Sequence, residues 1–192
     1  MIKWITALSL LLVVNAQNLK AQKENALQQF WSKLEKHCGK SYEGTITAGG
    51  REGDGFTGQK LVMQVLDCKT GVIKVPFYVG DNKSRTWILT KQDDRLKLKH
   101  DHRHKDGSLD SITFYGGTST NIGSAGMQIF PADEETCNLI PYACGNVWWM
   151  TIDEKVFTYN LRRIGSDRVF TVSFNLEKPV VFNEKPWGWA DK

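Results

Sequence analysis

Between residues 23 and 37 apolar side chains return every three or four positions, at Leu27, Phe30, Trp31 and Leu34. Lys23, Glu24, Lys33, Glu35 and Lys36 fill the gaps. That stripe predicts an amphipathic helix within 22–39, stopped by Gly39, with its apolar side docked on the domain that follows. From residue 40 the period drops to two. Ten candidate strands follow, at 43–48, 60–67, 71–79, 85–91, 95–104, 110–116, 126–131, 146–153, 156–163 and 168–176. Turn signals such as Gly80-Asp81-Asn82, Asp106-Gly107 and Gly165-Ser166-Asp167 separate them, and the spacings are those of hairpins. The pattern predicts an all-β domain over 40–182. It is an antiparallel up-and-down β-barrel of eight to ten strands behind a short N-terminal α-helix, with a two-sheet sandwich as the other arrangement. Residues 183–192 form a tail whose Trp187 and Trp189 are expected to cover one end of the barrel, because two exposed indoles are costly.

Residues 1–21 read differently. Lys3 is followed by an apolar run from Ile5 to Val14, with small residues before Ala16 and again before Ala21. This is the pattern of a secretory signal peptide cut after one of those alanines. About ten apolar residues are too few to span a bilayer. Cleavage at residue 21 removes Lys3 and Lys20 and no carboxylate, so the formal charge falls from +4 to +2. A charge that small argues for no nucleic-acid partner. Cys38, Cys68, Cys137 and Cys144 are an even set in an exported chain, which predicts two disulfides. Of three possible pairings, Cys38–Cys68 and Cys137–Cys144 join nearest neighbours in sequence. At 192 residues, 41% hydrophobic and 24% charged, the chain has material for one packed core.

The candidate chemistry lies in the fifth strand. Its odd positions, Arg95, Lys97, Lys99, Asp101, Arg103 and Lys105, are all charged. Its even positions are Leu96, Leu98, His100, His102 and His104. Alternate residues share a face, so the charged set is expected in solvent and the histidines inside. Neutral imidazoles there would each offer a donor and an acceptor to a bound molecule. Arg85, Trp87, Phe114 and Tyr115 are further lining candidates. A His-x-His pair is also a fragment of a metal site. His102 and His104 with Asp110 could hold a transition metal and make the protein a metal-dependent enzyme. The third possibility is an internal network that only supports the barrel. The uncharged, glycine-rich segment 116–126 is either a gate beside the cavity mouth or a plain linker. The basic positions of the fifth strand, with Arg162 and Arg163, are read as a solvated outer stripe.

The helix entering Gly39-Lys40-Ser41-Tyr42-Glu43-Gly44, followed by a meander, resembles the entry of calycin-type barrels, the lipocalin, fatty-acid-binding and nitrobindin group. Tyr42 stands where that group usually has Trp. The resemblance covers residues 25–182 and implies a barrel that holds a small apolar or amphipathic molecule. Its haem-binding branch uses a histidine near the C-terminus. The last histidine here is His104, so haem is not implied. The stretch Lys99-His100-Asp101-His102-Arg103-His104-Lys105-Asp106-Gly107-Ser108, with Tyr115-Gly116-Gly117, also resembles a family of uncharacterised secreted bacterial proteins, which implies export and no particular activity. The expectation is a secreted or periplasmic small-molecule-binding barrel with a histidine ladder in its cavity. The alternatives are the metal-dependent enzyme and a surface interaction protein.

Overall fold

A computed structural model describes residues 26–189; the signal peptide expected over 1–21 lies outside the described residues. Helix α1 spans 26–35. Its Leu27, Phe30, Trp31 and Leu34 are all buried in the same core cluster as the strands. Eleven strands follow among the described residues: β1 (Ser41–Ala48), β2 (Leu61–Gln64), β3 (Asp67–Lys69), β4 (Val72–Val79), β5 (Asn82–Gln92), β6 (Arg95–His102), β7 (Tyr115–Thr118), β8 (Met127–Pro131), β9 (Asn146–Ile152), β10 (Val156–Arg163) and β11 (Val169–Val180). A short helix, α2 (Glu134–Leu139), and a 3₁₀ turn (Pro141–Ala143) sit between β8 and β9.

Every neighbouring pair is antiparallel, in the order β7-β6-β5-β4-β2-β1-β11-β10-β9-β8, with β3 as a spur on β4. The first and last strands pair with each other, Gly44 opposite Phe174. The sheet thereby curls into a nearly closed barrel. Period-two alternation is kept where it matters. Ile73, Val75, Phe77 and Val79 of β4, and Phe170, Val172, Phe174 and Leu176 of β11, are buried in the core. Two expected segments changed. The run 60–67 breaks at Val65-Leu66 into β2 and the spur. The run 110–116 is strand only from Tyr115, because Asp110 to Phe114 follow an irregular path ending with Phe114 at φ 58°. Left-handed backbone at a bulky aromatic is strained, and it turns Phe114 outward, 39% exposed.

α1 closes the end of the barrel where β5 and β6 meet. Lys91 Nζ donates to Gln28 Oε1 at 2.8 Å and lies 4.5 Å from the centre of the Trp31 ring. The disulfide Cys38–Cys68 ties the segment after α1 to β3, and Cys137–Cys144 ties α2 to the turn that follows it. Each cross-link contributes about 2–4 kcal/mol by restricting the unfolded chain. Two disulfides are the mark of an oxidising environment. Among the described residues no helix is long and apolar enough to cross a membrane.

The seam lies between β7 and β8, where no strand ladder forms, and α2 clasps it. Asp133 caps α2, accepting from Thr136 N–H at 2.9 Å. The Asp133 N–H donates to the Gly116 carbonyl at 3.0 Å. Thr136 Oγ1 accepts from Gly116 N–H at 2.6 Å and lies 2.8 Å from the Gly116 carbonyl. A Cβ at Gly117 would fall on the Pro131 carbonyl, so only glycine permits this approach of β7 to β8. Lys99 leans out from β6 to Asp133 and Glu135, at 2.7 and 2.6 Å. The charged face of β6 is therefore not all in solvent. Lys99 lies under α2, and Asp101 is buried against Arg103 and Thr113, at 3.0 and 3.4 Å. The tail also departs from expectation. It runs along the outer wall instead of over an end. Phe182 packs on Tyr78, the Trp187 N–H donates to the Lys83 carbonyl, Lys83 pairs with Glu184, and Lys74 lies over Trp189.

Thr136 is the keystone of the seam. Thr136→Val leaves Gly116 N–H without its acceptor in a dry site, and urea denaturation should show a loss of about 2 kcal/mol, with Thr136→Ser retaining most of the stability.

Candidate functional site

The end of the barrel opposite α1 holds a cavity of about 380 Å³. The inward parity of each strand decides what lines it. β5 contributes Arg85 and Trp87, β6 His100 and His102, β9 Asn146 and Trp148, and β10 Tyr159, Leu161 and Arg163. Tyr115 of β7 and Phe170 of β11 complete the wall, with Arg168 just before β11. Asp110, Ile112, Tyr142 and Ala143 come from the connections above it. Phe56 reaches in from the long loop between β1 and β2, stacked over Phe77 at 6.3 Å between ring centres.

An aromatic layer fills the barrel beneath. Trp87 stacks on Tyr159 at 4.3 Å and on Phe77 at 4.8 Å between ring centres. His100 stacks on Tyr115 at 4.6 Å and tilts against Trp148 at 5.1 Å. Such offset packing adds to the burial of large apolar rings.

The polar groups of this layer satisfy one another. His100 Nδ1 lies 3.0 Å from the Tyr115 carbonyl, which can only accept, so Nδ1 carries the proton. Nε2 is then the acceptor, and the Tyr159 hydroxyl donates to it at 2.7 Å. The Tyr115 hydroxyl is hydrogen-bonded to His102 Nε2 at 3.0 Å. Burial pushes the His100 pKa down to about 3. Burial, with the Arg85 charge beside it, pushes His102 down to about 4. The Tyr115 hydroxyl is pushed up to about 12, again by burial, and burial also raises Tyr159 well above its ordinary value. Near neutral pH all four groups are uncharged.

The residues singled out in the sequence separate accordingly. His100, His102, Arg85, Trp87 and Tyr115 all line the cavity. His104 and Phe114 do not. β6 ends at His102, and His104 is an exposed member of the Asp106-Gly107 turn, its N–H donating to the Ser108 carbonyl at 2.9 Å. Asp110 stands at the mouth with its carboxylate engaged by Ile112 N–H at 3.0 Å. Among the described residues no three His, Cys, Asp or Glu side chains gather as a metal centre, so the set His102, His104 and Asp110 is not assembled as one. None of residues 116–126 lines the cavity. Ile122 of that segment packs toward Leu27 at the α1 end, away from the mouth, which leaves the linker of the two readings. Arg163, read as part of an outer stripe, points inward, while Arg162 is exposed.

Sequence reasoning did not single out Trp148, Tyr159 or Arg168 for the site and placed Arg163 outside it. The signal was present as parity: 159, 161 and 163 share a face with the core residue Phe157, and 168 shares one with Phe170 and Val172. Phe56 sits in an irregular loop and had no such signal. The site thus defines a nearly closed antiparallel barrel, plugged by a helix at one end and open to an amphipathic cavity at the other. Compared with protein-family models, with curated proteins and with solved structures, the chain matches none.

The buried histidines set an acid limit. Their folded pKa values lie below 6.5, so the unfolded chain binds more protons than the folded one between pH 6.5 and about 4. Stability is therefore complete above pH 6.5 and falls as pH drops through that window. Urea denaturation should show a loss of roughly 2 kcal/mol or more between pH 7 and pH 4.5, and His102→Gln should make the loss smaller.

Proposed function

We propose that the protein is an exported barrel of calycin type that binds one small, partly apolar molecule, without nucleic acid as a partner. The observation that carries this is the cavity of about 380 Å³ within the barrel. Its size and its aromatic lining suit a small organic molecule, and a few fixed polar groups converge on it. His102 and Tyr115 offer polar contacts in one fixed arrangement, with His100 holding Tyr115 and Tyr159 in place from below. Trp87, Trp148 and Phe170 offer apolar surface. Rigid, neutral and mutually bonded groups suit recognition, since they need no rearrangement on binding. The disulfides and the leader-like residues 1–21 support export to the periplasm or beyond.

Leu161 faces the cavity from β10 and is the place to block it. The fluorescence of N-phenyl-1-naphthylamine should rise in a saturable, one-to-one manner with the wild-type protein, and Leu161→Trp should weaken that binding about tenfold or more. A flat titration with the wild type, or one that Leu161→Trp leaves unchanged, would remove the cavity as a binding site.

A further inference from the structure

The cavity wall carries three arginines, Arg85, Arg163 and Arg168, and a single carboxylate, Asp110, at the mouth. The ion pairs among the described residues engage other arginines, with Arg51 on Asp167, Arg95 on Asp94 and Arg103 on Asp101. Asp167, next to Arg168 in sequence, is thus turned outward to Arg51 at 2.9 Å. Arg163 donates through Nε to Asn146 Oδ1 at 2.9 Å and lies over the Tyr142 ring, both neutral partners.

Arg85 is the sharpest case. Its guanidinium lies over the face of Phe56 at 5.1 Å. A ring face attracts the cation but leaves the in-plane N–H bonds without acceptors. Nη1 is buried and has no hydrogen-bond partner. A buried guanidinium N–H without an acceptor is costly to the fold, and among the described residues no carboxylate pairs with Arg85. Of the titratable groups around it, His100, His102, Tyr115 and Tyr159 are neutral near pH 7, and Asp110 at the mouth supplies one negative charge against three arginines. The excess of positive charge in the cavity is therefore real and fixed.

We infer that the molecule held in this cavity is an organic anion, with an apolar body against Trp87, Trp148 and Phe170 and a carboxylate or phosphate head on Arg85. The inference rests on the binding role proposed above and names the class of ligand. The paired oxygens of a carboxylate or a phosphate match the forked donors of a guanidinium. Arg163 and Arg168 make the wall around that head positive, which adds attraction and raises the entry rate.

Three naphthalenes of one shape test it: 2-naphthoate, 2-naphthyl phosphate and neutral 2-naphthol, each competing with N-phenyl-1-naphthylamine. One or both anions should displace the probe at concentrations about tenfold or more below those needed for the alcohol, and the better of the two identifies the head as carboxylate or phosphate. Arg85→Met should erase that advantage, leave displacement by the alcohol within about threefold, and raise the melting temperature of the ligand-free protein. This comparison needs no variant for its first arm, so a misfolded Arg85→Met does not spoil it. Equal displacement by all three compounds, or an advantage that survives in a folded Arg85→Met, would overturn the anion while saturable probe binding still upheld the cavity. Absence of probe binding altogether would overturn both.

Discussion

The closure of the seam between β7 and β8 is the constraint on which the rest of this molecule depends. A curled sheet with two free edges exposes rows of unpaired N–H and C=O groups, and these must find partners or stay wet. Here the two edges never form a ladder. Gly116 and Gly117 bring the backbones close, and Asp133 and Thr136 supply the missing donor and acceptor groups. Lys99 then crosses from β6 to pin α2 by its two carboxylates. Tyr115 stands one residue before Gly116, so this clasp also sets the position of the ring against which His100 stacks.

From the seam inward, the site is built as two layers with opposite demands. The lower layer is dense and self-satisfied, with Trp87, Tyr159, His100 and Trp148 filling the barrel and every hydrogen-bonding group of His100 engaged. Desolvation keeps those groups neutral, so the layer can be dry without leaving a charge unpaired. The upper layer is left incomplete. Arg85 lines the open volume with its buried Nη1 unbonded, and among the described residues no carboxylate pairs with Arg163 or Arg168. A fold that settles its lower layer so fully and leaves its upper layer unsatisfied concentrates its unmet interactions at one place, where a ligand can meet them.

Much of this was legible in the pattern of residues, and some was not. The ten runs of alternating residues all contain strand, because one buried face imposes a strict period of two. The same parity correctly directs His100, His102, Arg85 and Trp87 inward. It failed at Phe114 and His104, where the connection between β6 and β7 leaves the strand path and parity loses meaning. It failed in another way at Lys99 and Asp101. Six alternating charges from Arg95 to Lys105 pointed to solvent, but α2 and the 103–113 connection cover part of that face and bring partners for the charges they bury. The signal for α2, an Asp133 cap before Glu134 and Glu135, was too short to stand out among so many strands.

The sequence by itself determined the helix that plugs the barrel, the alternation that sorts each strand into an inner and an outer face, and a cysteine set whose nearest neighbours proved to be bonded. These are local properties, set by side chains two to four residues apart. Only the tertiary structure decided which inward residues share one volume, that Arg163 and Arg168 join Arg85 there, and that among the described residues no carboxylate forms an ion pair with any of the three. Those facts depend on how far each strand is shifted against its neighbour and on where the connections fall. Such shifts arise from the packing of the whole barrel, over sequence separations that no local pattern spans.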